Sequence, residues 1–172
     1  MNKIKYKKGN IVLIGMPGAG KSTIGVILAK TLGFSFCDTD LIIQKNEGHT
    51  LQEIISEKGL KYFLVKEKDI VSSLDLEQHV IAPGGSVIYH SNTIDHLKKN
   101  GLVIYLDVPY KELKKRIANM KTRGIVMSST QSFQDIFDER ATLYKKFADK
   151  TLVCNKKNME KIVEEIIFIV QQ

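Results

Sequence analysis

Gly15-Met16-Pro17-Gly18-Ala19-Gly20-Lys21-Ser22 fits the pattern G-x-x-x-x-G-K-[ST] at every position. The run before it, Asn10 to Ile14 (Asn-Ile-Val-Leu-Ile), is apolar and β-branched, as expected of a strand buried on both faces in a parallel sheet. After it, Ile24, Ile27, Leu28 and Leu32 recur at helical spacing, and Gly33 stands where a C-cap glycine would end the helix. Strand, glycine loop and helix form the setting in which this motif cradles phosphate. The loop N–H groups turn inward, and the positive end of the helix dipole faces the anion. Lys21 is then expected to bridge the β- and γ-phosphates of a nucleoside triphosphate, and the Ser22 hydroxyl to ligate magnesium. A Gly-rich turn that merely precedes a helix would leave the Lys-Ser pair without a reason to stand there.

Outward from this stretch, strands and helices alternate. Phe34 to Cys37, His79 to Ala82, Val103 to Val108 and Thr151 to Cys154 read as strands. Helices are expected over Leu41 to Lys45, Thr50 to Lys58, Lys61 to Leu74, Ser91 to Asn100, Tyr110 to Ala118, Gln134 to Lys145 and Met159 to Val170. With no internal repeat, the pattern predicts an α/β fold: a three-layer α/β/α arrangement around a central parallel sheet, P-loop NTPase/NMP-kinase-like. Ligands should sit beyond the carboxyl ends of its strands. The 172 residues fit one domain, 1–172, in which 119–132 is polar and irregular and is expected to be a mobile lid with little to bury.

Bulk properties exclude several function classes. No apolar run reaches a membrane span, and the basic start leads directly into a strand, so neither an anchor nor a signal peptide is expected. Cys37 and Cys154 are far apart, with no metal-ligand spacing to any His, which suits free thiols in a cytoplasmic protein. The formal charge of +7 comes from dispersed lysines without interleaved aromatics, so no nucleic acid partner is expected. Part of the excess suits a site that receives a polyanionic nucleotide.

Asp38 and Asp40 follow the second strand at i, i+2 and are expected to point past its tip toward the phosphate loop. There, one carboxylate can hold hydrated magnesium while the other orients an acceptor hydroxyl and takes its proton. Either one alone would also serve as the N-cap of the next helix. Asn155-Lys156-Lys157-Asn158 lacks the aspartate with which a GTPase reads guanine.

At this point the chain resembles the shikimate kinases, from about Asn10 to Phe168. The likeness covers Gly18-Ala19-Gly20-Lys21-Ser22-Thr23, the passage from Leu32 to Asp40, Gly48 to Ile55, and Ile81-Ala82-x-Gly84-Gly85. It continues through Gly101 to Leu106 and Glu139-Arg140-Ala141-x-Leu143-Tyr144-x-x-x-Ala148-Asp149. The resemblance implies an ATP-dependent kinase of a small hydroxy acid, shikimate giving shikimate 3-phosphate, in aromatic amino acid biosynthesis. It implies ATP bound by Gly18, Ala19, Gly20, Lys21, Ser22 and Thr23, with Arg116 near the adenine, and Mg2+ held by Ser22 and, through water, Asp38. It implies an acceptor bound by Asp40, Gly84, Gly85 and Arg140, and transfer assisted by Lys21, Asp40 and the lid residue Arg123. The expected partners are small molecules, and a monomer is expected. Arg140 beside Glu139 also fits a surface ion pair, and Arg116 and Arg123 also fit solvated charges.

Three positions depart from the family pattern. Phe63-Leu64-Val65-Lys66-Glu67 carries leucine where the family has an arginine that shares the acceptor carboxylate. Lys66 lies about 200° round the helix from an inward-facing position 64 and should point elsewhere. Ser86 stands in place of a third glycine, and the lid has Gly124 where proline is usual. These changes fall on the acceptor side and the lid, which leaves room for a different small acceptor. A nucleotide-sensing module that phosphorylates nothing is the remaining alternative.

Overall fold

Residues 10–14 have no polar side chain beyond Asn10 and are buried throughout, so the strand they form, β1 (Asn10–Ile14), can only lie inside a covered sheet. A computed structural model describes residues 9–118, 125–128 and 130–172. β1 is followed by α1 (Lys21–Leu32), β2 (Ser35–Asp38), α2 (Thr39–Glu47), α3 (Leu51–Lys58) and α4 (Leu60–Ser72). Then come β3 (His79–Ala82), α5 (Ser91–Lys99), β4 (Gly101–Asp107), α6 (Tyr110–Ala118), α7 (Phe133–Phe147), β5 (Lys150–Val153) and α8 (Met159–Gln171). The strands pair in parallel in the order β2-β3-β1-β4-β5, with Ile11 opposite both Val80 and Leu102. This is the α/β fold the alternation predicts. Among the described residues, no helix is long and apolar enough to cross a membrane.

Two differences from the sequence reading bear on the site. Thr39 and Asp40 belong to the first turn of α2 and do not extend β2: Asp38, still extended, caps that helix by accepting a hydrogen bond from the Asp40 N–H. A short 3-10 turn, Val87–Tyr89, follows the glycines after β3 and turns the chain back toward α7.

Apolar side chains fall into two clusters. The larger lines the sheet. The smaller joins Ile43 of α2, Leu51 and Ile54 of α3, Phe63 of α4 and Val126. Leu64 packs at the edge of this smaller cluster, partly buried. On its outer side Glu47 accepts hydrogen bonds from Lys58 at 2.7 Å and from the Tyr62 hydroxyl at 2.9 Å, with Lys66 3.5 Å away. Lys66 therefore points outward, as its offset from Leu64 predicts.

Residues 119–124 and 129 of the expected lid, Arg123 and Gly124 among them, lie outside the described residues. Val126, within the stretch expected to have little to bury, is in fact buried in the smaller cluster.

Ile54 is fully buried there and borders no part of the ligand cleft described below. Ile54→Ala should therefore lower unfolding free energy by about 2–4 kcal/mol, the usual cost of truncating a packed core residue. Urea denaturation measures it.

Candidate functional site

Gly20 carries φ 93°, a left-handed conformation that admits few residues other than glycine, and α1 begins immediately after it. No side chain caps that N-terminus and no acidic residue sits in its first turn, so the helix presents its positive end to the loop above it. The Lys21 ammonium donates to the carbonyls of Gly15, at 2.9 Å, and Met16, at 3.2 Å, which keeps the cation at the loop mouth. The Ser22 hydroxyl donates to Asp38 Oδ2 at 2.6 Å, while Asp38 Oδ1 caps α2. Asp38 thus fills the capping role and still presents its second oxygen beside Ser22. A hydroxyl and a carboxylate in contact are the hard oxygen donors that suit magnesium, which takes few protein ligands and completes its shell with water and phosphate.

A cleft runs from this cradle to the acceptor side. Its walls include Lys21, Ser22 and Asp38 at one end and Asp40, Glu67, Gly84, Ser86 and Arg140 at the other. The three expected acceptor groups, Asp40, the Gly84-Gly85 backbone and Arg140, therefore share one cavity with the cradle. Gly84 is required by close approach: a β-carbon there would come under 3.0 Å from both Glu67 Oε1 and Asp40 Oδ1.

Arg140 is 1% exposed and forms no ion pair with Glu139, so the surface reading fails. Its Nε donates to the Tyr89 hydroxyl at 3.1 Å, its guanidinium lies 5.2 Å from the Tyr89 ring centre, and its Nη2 donates to the Val126 carbonyl. A guanidinium gripped this way has one face fixed and one edge left for an anion in the cleft. Tyr144, one turn along α7, donates to the Gly85 carbonyl at 2.5 Å and stacks on Tyr105, which ties the glycine loop to the same helix. Arg116 is less enclosed: it donates to the Gly18 carbonyl at 3.1 Å and pairs with Glu112 at 3.3 Å. That places it beside the cradle.

Sequence reasoning did not pick out Glu67 or Tyr89. Phe63, Glu67 and Val71 form the buried stripe of α4 at i, i+4 and i+8, so a carboxylate on an apolar helix face was the available signal for Glu67. Glu67 is fully buried, and desolvation pushes its pKa up from 4.5 to about 7, with the Ser86 hydrogen bond opposing and the nearby Asp40 charge adding. Ser86 donates to Glu67 Oε2 at 2.5 Å. Glu67 Oε1 has no hydrogen-bond partner among the described residues.

A family model described as shikimate kinase matches residues 17–171. The shikimate kinase of Caldanaerobacter subterraneus subsp. tengcongensis is 36% identical over 161 residues, which cover 92% of this chain and 94% of that one. A Clostridium botulinum shikimate kinase is 37% identical over 158 residues, 90% and 92% of the two chains. Among solved structures, the Acinetobacter baumannii shikimate kinase in complex with shikimate superimposes with a TM-score of 0.86 at 29% identity, covering 96% of this chain and 94% of that one.

The folded state holds Glu67 neutral more readily than the unfolded chain does, so its burial is penalised as pH rises. The penalty is absent below about pH 4.5, grows toward pH 7 and then levels off. Relative to Glu67→Gln, which cannot ionise, the native chain should lose roughly 3 kcal/mol of stability between pH 4.5 and 7.5. Paired denaturation curves at the two pH values test this, and a constant gap would contradict it.

Proposed function

The chain belongs to the shikimate kinase family, and from that premise we propose that it transfers the γ-phosphoryl group of ATP to the 3-hydroxyl of shikimate. It is an ATP-dependent small-molecule kinase of the aromatic amino acid route. The observation that carries the acceptor assignment is the shared cleft: a helix-start cradle at one end, and a carboxylate and a buried guanidinium facing the same space at the other.

In this reading, the N–H groups at the start of α1 and the Lys21 ammonium receive the triphosphate, and both gain strength as charge gathers on the transferring group. Ser22 and Asp38 would hold magnesium, which offsets phosphate charge when bound. Asp40 is fixed by its place in the first turn of α2, where its backbone N–H is held by Asp38. Its carboxylate accepts the hydrogen bond of the acceptor hydroxyl and takes the proton as the new O–P bond forms and the bond to ADP breaks. Arg140 pairs with the acceptor carboxylate, and its grip by Tyr89 and Val126 lowers the entropy cost of doing so. Arg116 is assigned to the adenine side. Arg123 is assigned to the lid on the resemblance alone, since it lies outside the described residues.

Leu64 supports a second reading, in which the same chemistry acts on another small hydroxy acid. Its side chain lies against the apolar cluster and contributes no charge to the cleft, which leaves the carboxylate of shikimate to Arg140. A coupled assay of ADP release over a panel of hydroxylated acids decides between the two. Saturable turnover of shikimate above all others is expected, and preference for another acid would establish the second reading.

Lys21→Ala should reduce phosphoryl transfer by at least three orders of magnitude with an unchanged circular dichroism spectrum. Arg140→Lys keeps the charge and loses the fork, and should raise the KM for shikimate about tenfold to a hundredfold, an effect of a lost charged hydrogen bond.

A further inference from the structure

We propose that Tyr144 is a positioning residue for phosphoryl transfer: its hydroxyl holds Gly85 as the spacer that sets how far the acceptor stands from the transferring phosphate. The inference rests on the kinase reading above.

Three observations carry it. First, Gly85 fills the gap between the two ends of the cleft. A β-carbon added there would lie 3.1 Å from Pro17 Cδ in the phosphate loop and 3.3 Å from Arg140 Nη1 on the acceptor side. Gly85 is not among the glycines with positive φ, so lack of space keeps a side chain out. A shift of Gly85 therefore presses on the phosphate loop or on the guanidinium. Second, Tyr144 is fully buried, and its hydroxyl donates to the Gly85 carbonyl at 2.5 Å. That bond fixes the plane of the peptide between Gly85 and Ser86. Without it, a carbonyl at the wall of the cleft is free to turn, and Gly85 turns with it.

Third, the tyrosine is itself anchored at the point where the phosphate loop begins. Its ring stacks on Tyr105 of β4, with centres 5.1 Å apart and planes 22° from parallel. Tyr105 is the register partner of Ile14, the last residue of β1 before the loop. Tyr144 thus refers Gly85 to the same place in the sheet from which Gly15 to Gly20 depart. Arg140 lies four residues earlier on α7, on the same face of the helix. One helix therefore carries the acceptor guanidinium and the hydroxyl that fixes its distance from the loop. Transfer needs the reacting atoms about 3–3.5 Å apart and in line, and an error of about 1 Å can cost a hundredfold in rate. A rigid spacer between donor and acceptor answers that need.

Tyr144→Phe tests the proposal, since it keeps the stacked ring and loses only the hydroxyl. With ATP and shikimate, kcat should fall about tenfold to a hundredfold while the KM for ATP stays within about twofold, because Lys21 and the start of α1 are untouched. Ile166→Ala, at a fully buried position in α8 outside the cleft, controls for lost stability and should keep kcat within about twofold at a temperature where it is folded. Gly85→Ala tests the spacing without altering Tyr144. Its methyl must displace Pro17 or Arg140 by a few tenths of an ångström, and kcat should again fall by more than the KM for ATP rises. A kcat for Tyr144→Phe that falls no further than that of Ile166→Ala would overturn the positioning role and leave the kinase assignment standing. If Tyr144→Phe does not fold, Gly85→Ala decides, and an undiminished kcat there overturns the proposal. No turnover of shikimate by the unaltered chain would overturn both readings.

Discussion

Parallel pairing of β1 with β3 and of β3 with β2 is the constraint from which the site follows. Because all three strands run the same way, their carboxyl ends reach one rim: Gly15 after β1, Asp38 at the end of β2, and Pro83-Gly84-Gly85 after β3. The proposed phosphate cradle, metal-holding carboxylate and acceptor loop are thereby set side by side without any long-range side-chain contact. The hydrogen bond from Ser22 to Asp38 then locks the first two together across the strand between them. An antiparallel β3 would send the glycine loop to the opposite edge and separate donor from acceptor.

Burial does the next part of the work. Arg140 and Glu67 are both shut away from water, yet neither is paired with the other in a simple ion pair. Arg140 leans on a phenol, an aromatic face and a carbonyl, which engage two of its five N–H donors without cancelling its charge. Among the described residues Glu67 has one hydroxyl donor and no more, so its charge is poorly solvated and its proton is held to near neutrality. Such arrangements cost stability, and they persist where a ligand completes them. The acceptor wall is accordingly less relaxed than the sheet core it rests on.

Much of this was legible in the chain. The first strand, the helix ended by Gly33 and the third strand over His79 to Ala82 appear within a residue of where their patterns put them, because burial on both faces and glycine caps leave few alternatives. Asp40 was harder. Read as part of a strand end, it stands in a helical turn, because the Asp38 side chain is free to cap and a capped helix starts at once. Tyr89 and Val126 were not legible as partners of Arg140. Their contacts join segments 51 and 14 residues away, the first of them placed by a 3-10 turn that no periodicity marks.

The departures at 64 and 86, which read in sequence as two separate losses, are physically linked in the structure. A donor at position 64 would sit one turn before Glu67 on the same helix, the spacing at which side chains meet. Leucine supplies none and turns instead to the small apolar cluster. Without another donor, both oxygens of a fully buried carboxylate would be orphaned, a cost of several kcal/mol in an apolar setting. The Ser86 hydroxyl, arriving from the loop after β3, meets that need with a group small enough to fit where the family has glycine. A two-residue exchange of this kind preserves a buried acid lining the cleft while removing one positive charge from its surroundings. The residue at 86 is therefore better understood as the partner of Glu67 than as an obstruction in the pocket, and the shape of the acceptor site follows from the hydrogen bond between them.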